Sequence, residues 1–331
     1  MDKKTPRILL IEPLDHIEIV ARWSRYFSEE QGAEVSVALN TYHLPWAQKN
    51  LPNFECHGLA EIPRLLPEVD LTILVTIGND PSRWWPLLAG HNYWVVGHNL
   101  SLWLGGPLYD YQPKNLARYL RDRWRRSKLL KLLEGAKHLL VPTDSMRYYL
   151  CKRKPGWPVI TFPFAFPRED INGKDNKASE NLIRLFIPGR VDDRFRDYNP
   201  IVEALQPLPT HRPMIELVLA GQVATPRIVD QFSALGPSVQ LIYQPKGLDD
   251  RTFHEYLTRC DFVIAPLRPS VRSGAYREYI GYTKISGSIF DAVAADKVLL
   301  LPAWHPMEWR KQKGYRNGTD LLEVISKSNT E

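Results

Sequence analysis

Short unbroken apolar runs recur along both halves of the chain. Arg7–Glu12 (RILLIE), Val35–Leu39, Leu71–Val75, Tyr93–Val96, Leu139–Val141 and Val159–Phe162 lie in the first half. Leu182–Ile187, Ile215–Ala220, Val239–Tyr243, Cys260–Ala265 and Lys297–Leu301 lie in the second. Runs of this kind, with no polar alternation, predict strands covered on both faces, the pattern of a parallel sheet. Amphipathic stretches lie between them. Ile19, Val20, Trp23, Tyr26 and Phe27 share one face of a predicted helix over Glu18–Gln31, and Gly32 stands where such a helix ends. Ser145–Cys151, Leu248–Arg259 and Ile289–Ala295 are also predicted helical, with Asp249 or Asp250 capping the second of these. A polar, irregular stretch, PFAFPREDINGKDNKASE, separates the halves. The expectation is an α/β protein with a first domain over 1–164, a linker over 165–181 and a second domain over 182–331, with a ligand cleft between the domains.

Ligands of parallel sheets bind beyond the carboxyl ends of the strands, so polar residues at those ends are candidates. In the first half they are Asp15 and His16, Asn79 and Asp80, and His98 and Asn99, expected on one rim. The first loop lacks G-x-G-x-x-G, so no dinucleotide fingerprint is present there. In the second half the stretch from Ile264 to Trp304 reads strand, basic loop, helix start, strand. The loop carries Arg268, Arg272, Arg277 and Lys284, and Ser286, Gly287 and Ser288 open the helix. Cations beside free helix amides suit a diphosphate. Trp84, Trp85, Trp94 and Trp103 gather around the first-half rim; core packing is the expected role of most of them, and WLGGPLYDY is the expected acceptor loop, with Trp103 and Tyr109 as its aromatic contacts.

Composition narrows the partners. The chain has 331 residues, 44% of them hydrophobic, enough for two cores. Its net charge of +6 fits a phosphate-bearing substrate or an anionic membrane surface. Lys114–Leu133 concentrates that charge, with eight Lys or Arg against one Asp. Leu116, Tyr119, Leu120, Trp124, Leu129 and Leu132 give the same stretch a partly helical apolar spacing, so a basic amphipathic helix is expected, able to meet anionic lipid. No RNA- or DNA-binding motif accompanies it, and no nucleic-acid partner is expected. Cys56, Cys151 and Cys260 are far apart and form no disulfide or zinc pattern, which suits a reducing compartment. The opening MDKKTPRILLIEP breaks at Glu12 and Pro13, too early for a signal peptide. A cytoplasmic protein is expected, with peripheral contact at the inner face of the membrane through 114–133. Asp192-Asp193 and Asp249-Asp250 are adjacent pairs that chelate poorly, so neither metal nor other cofactor is expected.

Four segments of the second half occur in a telling order: IPGRVDDRFRDYNPIVEAL, IELVLAGQV, VQLIYQPKGLDDRTFHEYLTRCDFVIAPL and KISGSIFDAVAADKVLLLP. Together they resemble the nucleotide-sugar-binding domain of GT-B glycosyltransferases of the group-1, GT4-like branch, over residues 182–325. The resemblance implies two Rossmann-like domains with a cleft between them, the first binding the acceptor and the second the nucleotide sugar. It implies that Arg190, together with Arg194, Arg196 or Lys284, and the amides of Ser286, Gly287 and Ser288 hold the donor diphosphate, with Asp291 near the ribose. It sets the loop after the first strand on the cleft, which makes Asp15 or His16 the candidate base. His98 resembles a histidine that contacts the donor sugar in such enzymes and is the second candidate. The acidic pair of that branch is altered: with Asp291 in its second position, the first falls on Thr283, which leaves retention or inversion open. The expected function is metal-free transfer of a sugar from a nucleotide sugar to a hydroxyl of a glycan or lipid-linked acceptor, as in polysaccharide biosynthesis. Two alternatives stand beside it: a nucleotide-sugar epimerase or hydrolase on the same fold, and a non-catalytic GT-B binding protein.

Overall fold

The computed structural model describes residues 5–78, 80–104, 116–167, 182–206, 214–273 and 276–327. They form two units. The first comprises Met1–Ala165, Arg272–Glu278 and Tyr282–Lys284; the second comprises Phe166–Val271, Tyr279–Gly281 and Ile285–Glu331. The sequence expectation gave all of 182–331 to the second domain, whereas two short pieces of that range group with the first.

The first unit is built on seven parallel strands: β1 (Arg7–Glu12), β2 (Glu34–Leu39), β3 (Glu55–Gly58), β4 (Leu71–Leu74), β5 (Tyr93–Val96), β6 (His138–Val141) and β7 (Val159–Thr161). Their order is β3-β2-β1-β4-β5-β6-β7. Leu9, Leu10 and Ile11 of β1 and Ile73 and Leu74 of β4 are fully buried, which is why these strands read as unbroken apolar runs. The strand order reverses between β1 and β4, which pair with Ile11 opposite Leu74. Such a reversal leaves a crevice at the carboxyl ends of the two strands, between loops that leave in opposite directions. The helix Ile17–Arg25 buries Ile19, Val20 and Trp23 and runs on as a π-helical turn, Tyr26–Glu30. The sequence led us to expect a regular helix through Gln31. Gly32, at φ +62°, ends it in the left-handed region that glycine adopts without strain.

The second unit carries β8 (Leu182–Ile187), β9 (Met214–Leu219), β10 (Val239–Tyr243) and β11 (Phe262–Ile264). The chain then forms a hairpin, β12 (Ser270–Ser273) and β13 (Tyr276–Tyr279), most of which groups with the first unit, and the second unit resumes with β14 (Val298–Pro302) and β15 (Gln312–Tyr315). The six-stranded sheet has the order β10-β9-β8-β11-β14-β15, and its pairings are parallel. Leu185, Ile187, Leu217, Leu219, Ile264 and Leu300 supply its core, covered by Ile201, Phe232, Leu321 and Ile325. The basic loop expected between β11 and the next helix is the β12–β13 hairpin instead.

Glycines close the loops at the carboxyl edge of this sheet. A Cβ on Gly221 would lie 2.2 Å from the backbone C and O of Gly189, and one on Gly247, at φ +87°, 2.9 Å from the amide of Gln222. The loops after β8, β9 and β10 therefore touch backbone to backbone. Gly287 has nothing within 4 Å of the same position. Gly221→Ala is expected to lower the unfolding free energy by about 2–3 kcal/mol, because backbone must move. Gly287→Ala should hold or raise it by up to about 1 kcal/mol. Urea titration of both variants decides, and equal stabilities would contradict the close approach.

Candidate functional site

In the first unit the polar cluster begins with Glu12, the last residue of β1. Its carboxylate is fully buried and accepts from the Leu14 amide at 2.6 Å and from Thr76 Oγ1 at 2.5 Å. Burial raises its pKa, against those hydrogen bonds and the charge of His16. By gripping Leu14, Glu12 fixes the turn that delivers His16. The sequence reading passed over Glu12 as the end of an apolar run, although a carboxylate closing a doubly covered strand was the signal.

His16 stacks on His98 with ring centroids 4.4 Å apart and planes 6° from parallel. The Nε2–H of His98 donates to the carbonyl of Val75 at 2.8 Å. Desolvation, helped by the charges of His16 and Lys284, pushes the His98 pKa down to about 3. His98 is therefore neutral, with its proton on Nε2 and a lone pair on Nδ1. Desolvation works against the proton on His16 as well, but Glu18, whose Oε1 lies 3.3 Å from Nδ1, and the charge of Glu12 raise its pKa overall. Of the two stacked rings, His16 is the one whose pKa is raised and His98 the one whose pKa is lowered.

Pieces of the later sequence complete this cluster. Lys284 Nζ donates to Asn99 Oδ1 at 2.6 Å, and the two residues form an isolated antiparallel bridge. Burial lowers the Lys284 pKa, partly offset by Glu278. Glu278 is buried and its pKa is raised by that burial, against hydrogen bonds with Thr283 and Ser101. Its Oε2 has no hydrogen-bond partner among the described residues. The sequence expectation put Lys284 on the donor diphosphate with Ser286–Ser288; the structure sets it beside Asn99, with its charge acting on both histidines.

Other first-half expectations fare differently. Asp15, 81% exposed, accepts from Tyr42 Oη at 2.8 Å and lies 3.4 Å from His43, rather than joining the stacked pair. Asp80 accepts from the Ser82 amide as a cap. Trp84 is core, its Nε1 donating to Ile77. Trp103, expected to stack on an acceptor, is 3% exposed and packs near Trp157, so it offers no face to a sugar. Asn79 and Tyr109 lie outside the described residues.

The second cluster sits in the second unit, where the strand order reverses between β8 and β11. The chain leaves β8 through Pro188, Gly189 (φ +79°) and Arg190. The Arg190 side chain is exposed, 3.8 Å from Asp192. Asp192 is buried and engaged by Arg194, whose Nη2 donates at 2.6 Å; those hydrogen bonds lower its pKa. Arg196 differs from both. It is 6% exposed, its Nη2 donates to Ser288 Oγ at 2.7 Å, and Ser288 donates in turn to the carbonyl of Pro188 at 3.0 Å. Arg196 Nη1 has no hydrogen-bond partner among the described residues. Burial lowers its pKa, against the charges of Tyr198, Asp291 and others. Ser288 lies in the first turn of the helix Gly287–Ala294, whose N-cap, Ser286, makes no side-chain cap bond. Of the expected donor-binding residues, Arg196, Ser286, Gly287 and Ser288 converge at one helix start, Asp291 acts on Arg196 by charge, and Arg190 stands in the same loop facing solvent. Among the described residues no group of three or more His, Cys, Asp and Glu is placed to hold a metal. No described helix is long and apolar enough to cross a membrane.

No family model and no curated protein matches the sequence. Solved structures do match the fold. A glycosyltransferase from Rickettsia africae aligns over 99% of this chain and 89% of its own, with TM-score 0.61 and 13% identity. Anabaena HepE, in complex with UDP-glucose, aligns over 97% and 89%, with TM-score 0.56 and 12% identity. A UDP-N-acetylglucosamine 2-epimerase aligns over 99% and 88%, with TM-score 0.54 and 11% identity. The chain thus has the GT-B fold, two parallel-sheet α/β domains.

His98 carries a pH prediction. Its folded pKa of about 3 lies below the ordinary 6.5, so between these values the unfolded chain binds more protons and stability falls as pH falls. The raised carboxyls of Glu12 and Glu278 act with the opposite sign above pH 4.5, so only a variant isolates the histidine. His98→Gln, which can still donate to Val75, should lose less stability than wild type between pH 6.5 and 5.5, by about 1 kcal/mol. Urea midpoints at the two pH values measure it, and identical losses would show that His98 is not held neutral.

Proposed function

We propose that the protein is a glycosyltransferase that moves a sugar from a nucleoside-diphosphate sugar to a hydroxyl acceptor without a metal ion. The observation that carries this reading is Arg196: a buried guanidinium fixed to the first turn of a helix, with one nitrogen unsatisfied. A cation and helix amides so placed suit the charge that develops on a leaving diphosphate. The fold shared with HepE, which binds UDP-glucose, supports a nucleotide sugar as donor.

The first unit supplies the proton chemistry. An acceptor hydroxyl becomes a competent nucleophile when a base takes its proton as the sugar carbon is attacked. His16 is that base in this reading. His98, neutral and stacked against it, leaves His16 as the ring that gains the proton. Glu12 holds the turn that carries His16 and stabilises the imidazolium by charge. Lys284 discourages protonation of His98. The acceptor is a glycan or a lipid-linked glycan, and the setting is polysaccharide biosynthesis.

A second reading, epimerisation or hydrolysis of the nucleotide sugar, is favoured by the fold shared with a UDP-N-acetylglucosamine 2-epimerase and by the buried, partly unsatisfied Glu278. Product analysis separates them: a transferase needs acceptor to turn over, while the alternative consumes donor alone.

Nucleotide binding comes first. One of UDP, GDP, ADP, CMP or dTDP should raise the melting temperature equally with and without magnesium, by an amount matching about 2.7 kcal/mol at 100 times Kd. Arg196→Met should abolish that shift. No shift from any nucleotide would overturn the donor assignment in favour of a non-catalytic protein. Once a donor is known, His16→Asn should lower kcat by about 10²–10⁴ while leaving donor affinity nearly unchanged. Glu12→Gln should move the acid limb of kcat/KM to lower pH, since a charge that raises the His16 pKa is gone. A limb that stays put would remove His16 from the role of base.

A further inference from the structure

The helix Leu116–Gly135 has apolar residues on two opposite faces. Leu129, Leu132 and Leu133 are buried in the first unit. Leu120 and Trp124, one turn apart, are 56% and 52% exposed. The sequence had suggested that Leu120, Trp124, Leu129 and Leu132 share one amphipathic face; the structure splits them. At about 100° per residue, Ala117, Leu120, Trp124, Ser127 and Lys131 fall on one outward stripe, with Arg121 and Lys128 along its edge. Ala117, Arg121, Ser127 and Lys131 are exposed and Lys128 half-buried.

Scattered exposed apolar residues are ordinary, but a leucine and a tryptophan adjacent on a helix and set among cations form a patch. We propose that this face docks on the surface of an anionic phospholipid bilayer. The helix would lie in the plane of the surface. Leu120 and Trp124 would enter the boundary between headgroups and acyl chains, where a tryptophan ring is favoured. Arg121, Lys128 and Lys131 would meet lipid phosphates, and the excess of eight basic residues over one acidic residue in 114–133 adds longer-range attraction. Charge complementarity selects this occupant. A second copy of the chain would bring the same cations against Arg121 and Lys131, and a neutral apolar partner would leave them unmatched. The proposal stands apart from the catalytic reading, since it needs neither donor nor turnover.

Co-sedimentation of the full chain with vesicles tests it. Vesicles of phosphatidylcholine containing about 30% phosphatidylglycerol should bind the protein at least about tenfold more strongly than phosphatidylcholine alone, and salt should weaken the binding. The double variant Leu120→Ser/Trp124→Ser and, separately, Arg121→Glu/Lys131→Glu should each reduce partition at least about tenfold. All four positions are exposed, so the melting temperature should be unchanged, which separates lost docking from lost fold. Absence of binding to anionic vesicles, equal binding to both lipids, or binding insensitive to both variants would overturn the proposal. So would a concentration-dependent dimer abolished by Leu120→Ser/Trp124→Ser, which would assign the face to a second copy.

Discussion

Arg196 is a permanently charged group held out of water, and much of the second unit's carboxyl edge follows from that. A buried, unpaired cation costs several kcal/mol, so a fold that keeps one surrounds it with constraints. Ser288 takes one nitrogen and is itself tied to Pro188. Gly189 must lack a side chain, because a Cβ there would lie 2.5 Å from Arg196 Nη2. Asp192, the nearby buried carboxylate, is gripped by Arg194, and it and Asp291 act on Arg196 by charge. Protein groups thus hold the guanidinium in place, with one of its nitrogens lacking a hydrogen-bond partner among the described residues. That is a poor arrangement for stability and a good one for an anionic ligand.

The first unit solves a related problem with protons. Two stacked imidazoles at 4.4 Å do not both carry charge readily, so the pair has to decide which ring ionises. Burial of His98 decides it, against the pull of its bond to Val75. The Val75 carbonyl at the end of β4 fixes the His98 tautomer, while Glu12 and Glu18 lie on the His16 side. β1 and β4 are the neighbours between which the strand order turns, so the topology itself gives the two rings different surroundings. Lys284 and Glu278 arrive from far along the chain, and their opposite charges bear on the same cluster.

Much of this fold was legible because doubly covered parallel strands must be apolar throughout. β1, β4, β5, β8, β9 and β14 announce themselves in that way. β3 (ECHG), β15 (QKGY) and the β12–β13 hairpin (SVRS, YREY) do not, because edge and hairpin strands depend on backbone pairing rather than on two covering layers. The site was legible in part for the same reason. His16, His98, Arg196 and Ser288 stand just beyond strand ends or at a helix start, where position alone marks them. Trp103 misled because an aromatic beside glycines reads as a loop, whereas its ring fills the space against Gly97. Glu278 gave no signal, since nothing local in YREYIGY indicates that its carboxylate is buried.

A fold shared at 11–13% identity with a glycosyltransferase, a protein solved with UDP-glucose and a 2-epimerase alike does not choose between their chemistries. The proton carriers do more. Inverting a carbon beside the anomeric centre requires a proton to leave one face and return to the other, so two accessible carriers must flank the sugar. Glycosyl transfer requires one base for one hydroxyl. In the first unit His98 is locked neutral with its N–H on a backbone carbonyl, Glu12 is held by Leu14 and Thr76, and Glu278 is sealed from solvent. Against these three, His16 is partly exposed and has a raised pKa. A partly exposed ring with a raised pKa is the kind of group that the proposed deprotonation of an acceptor calls for.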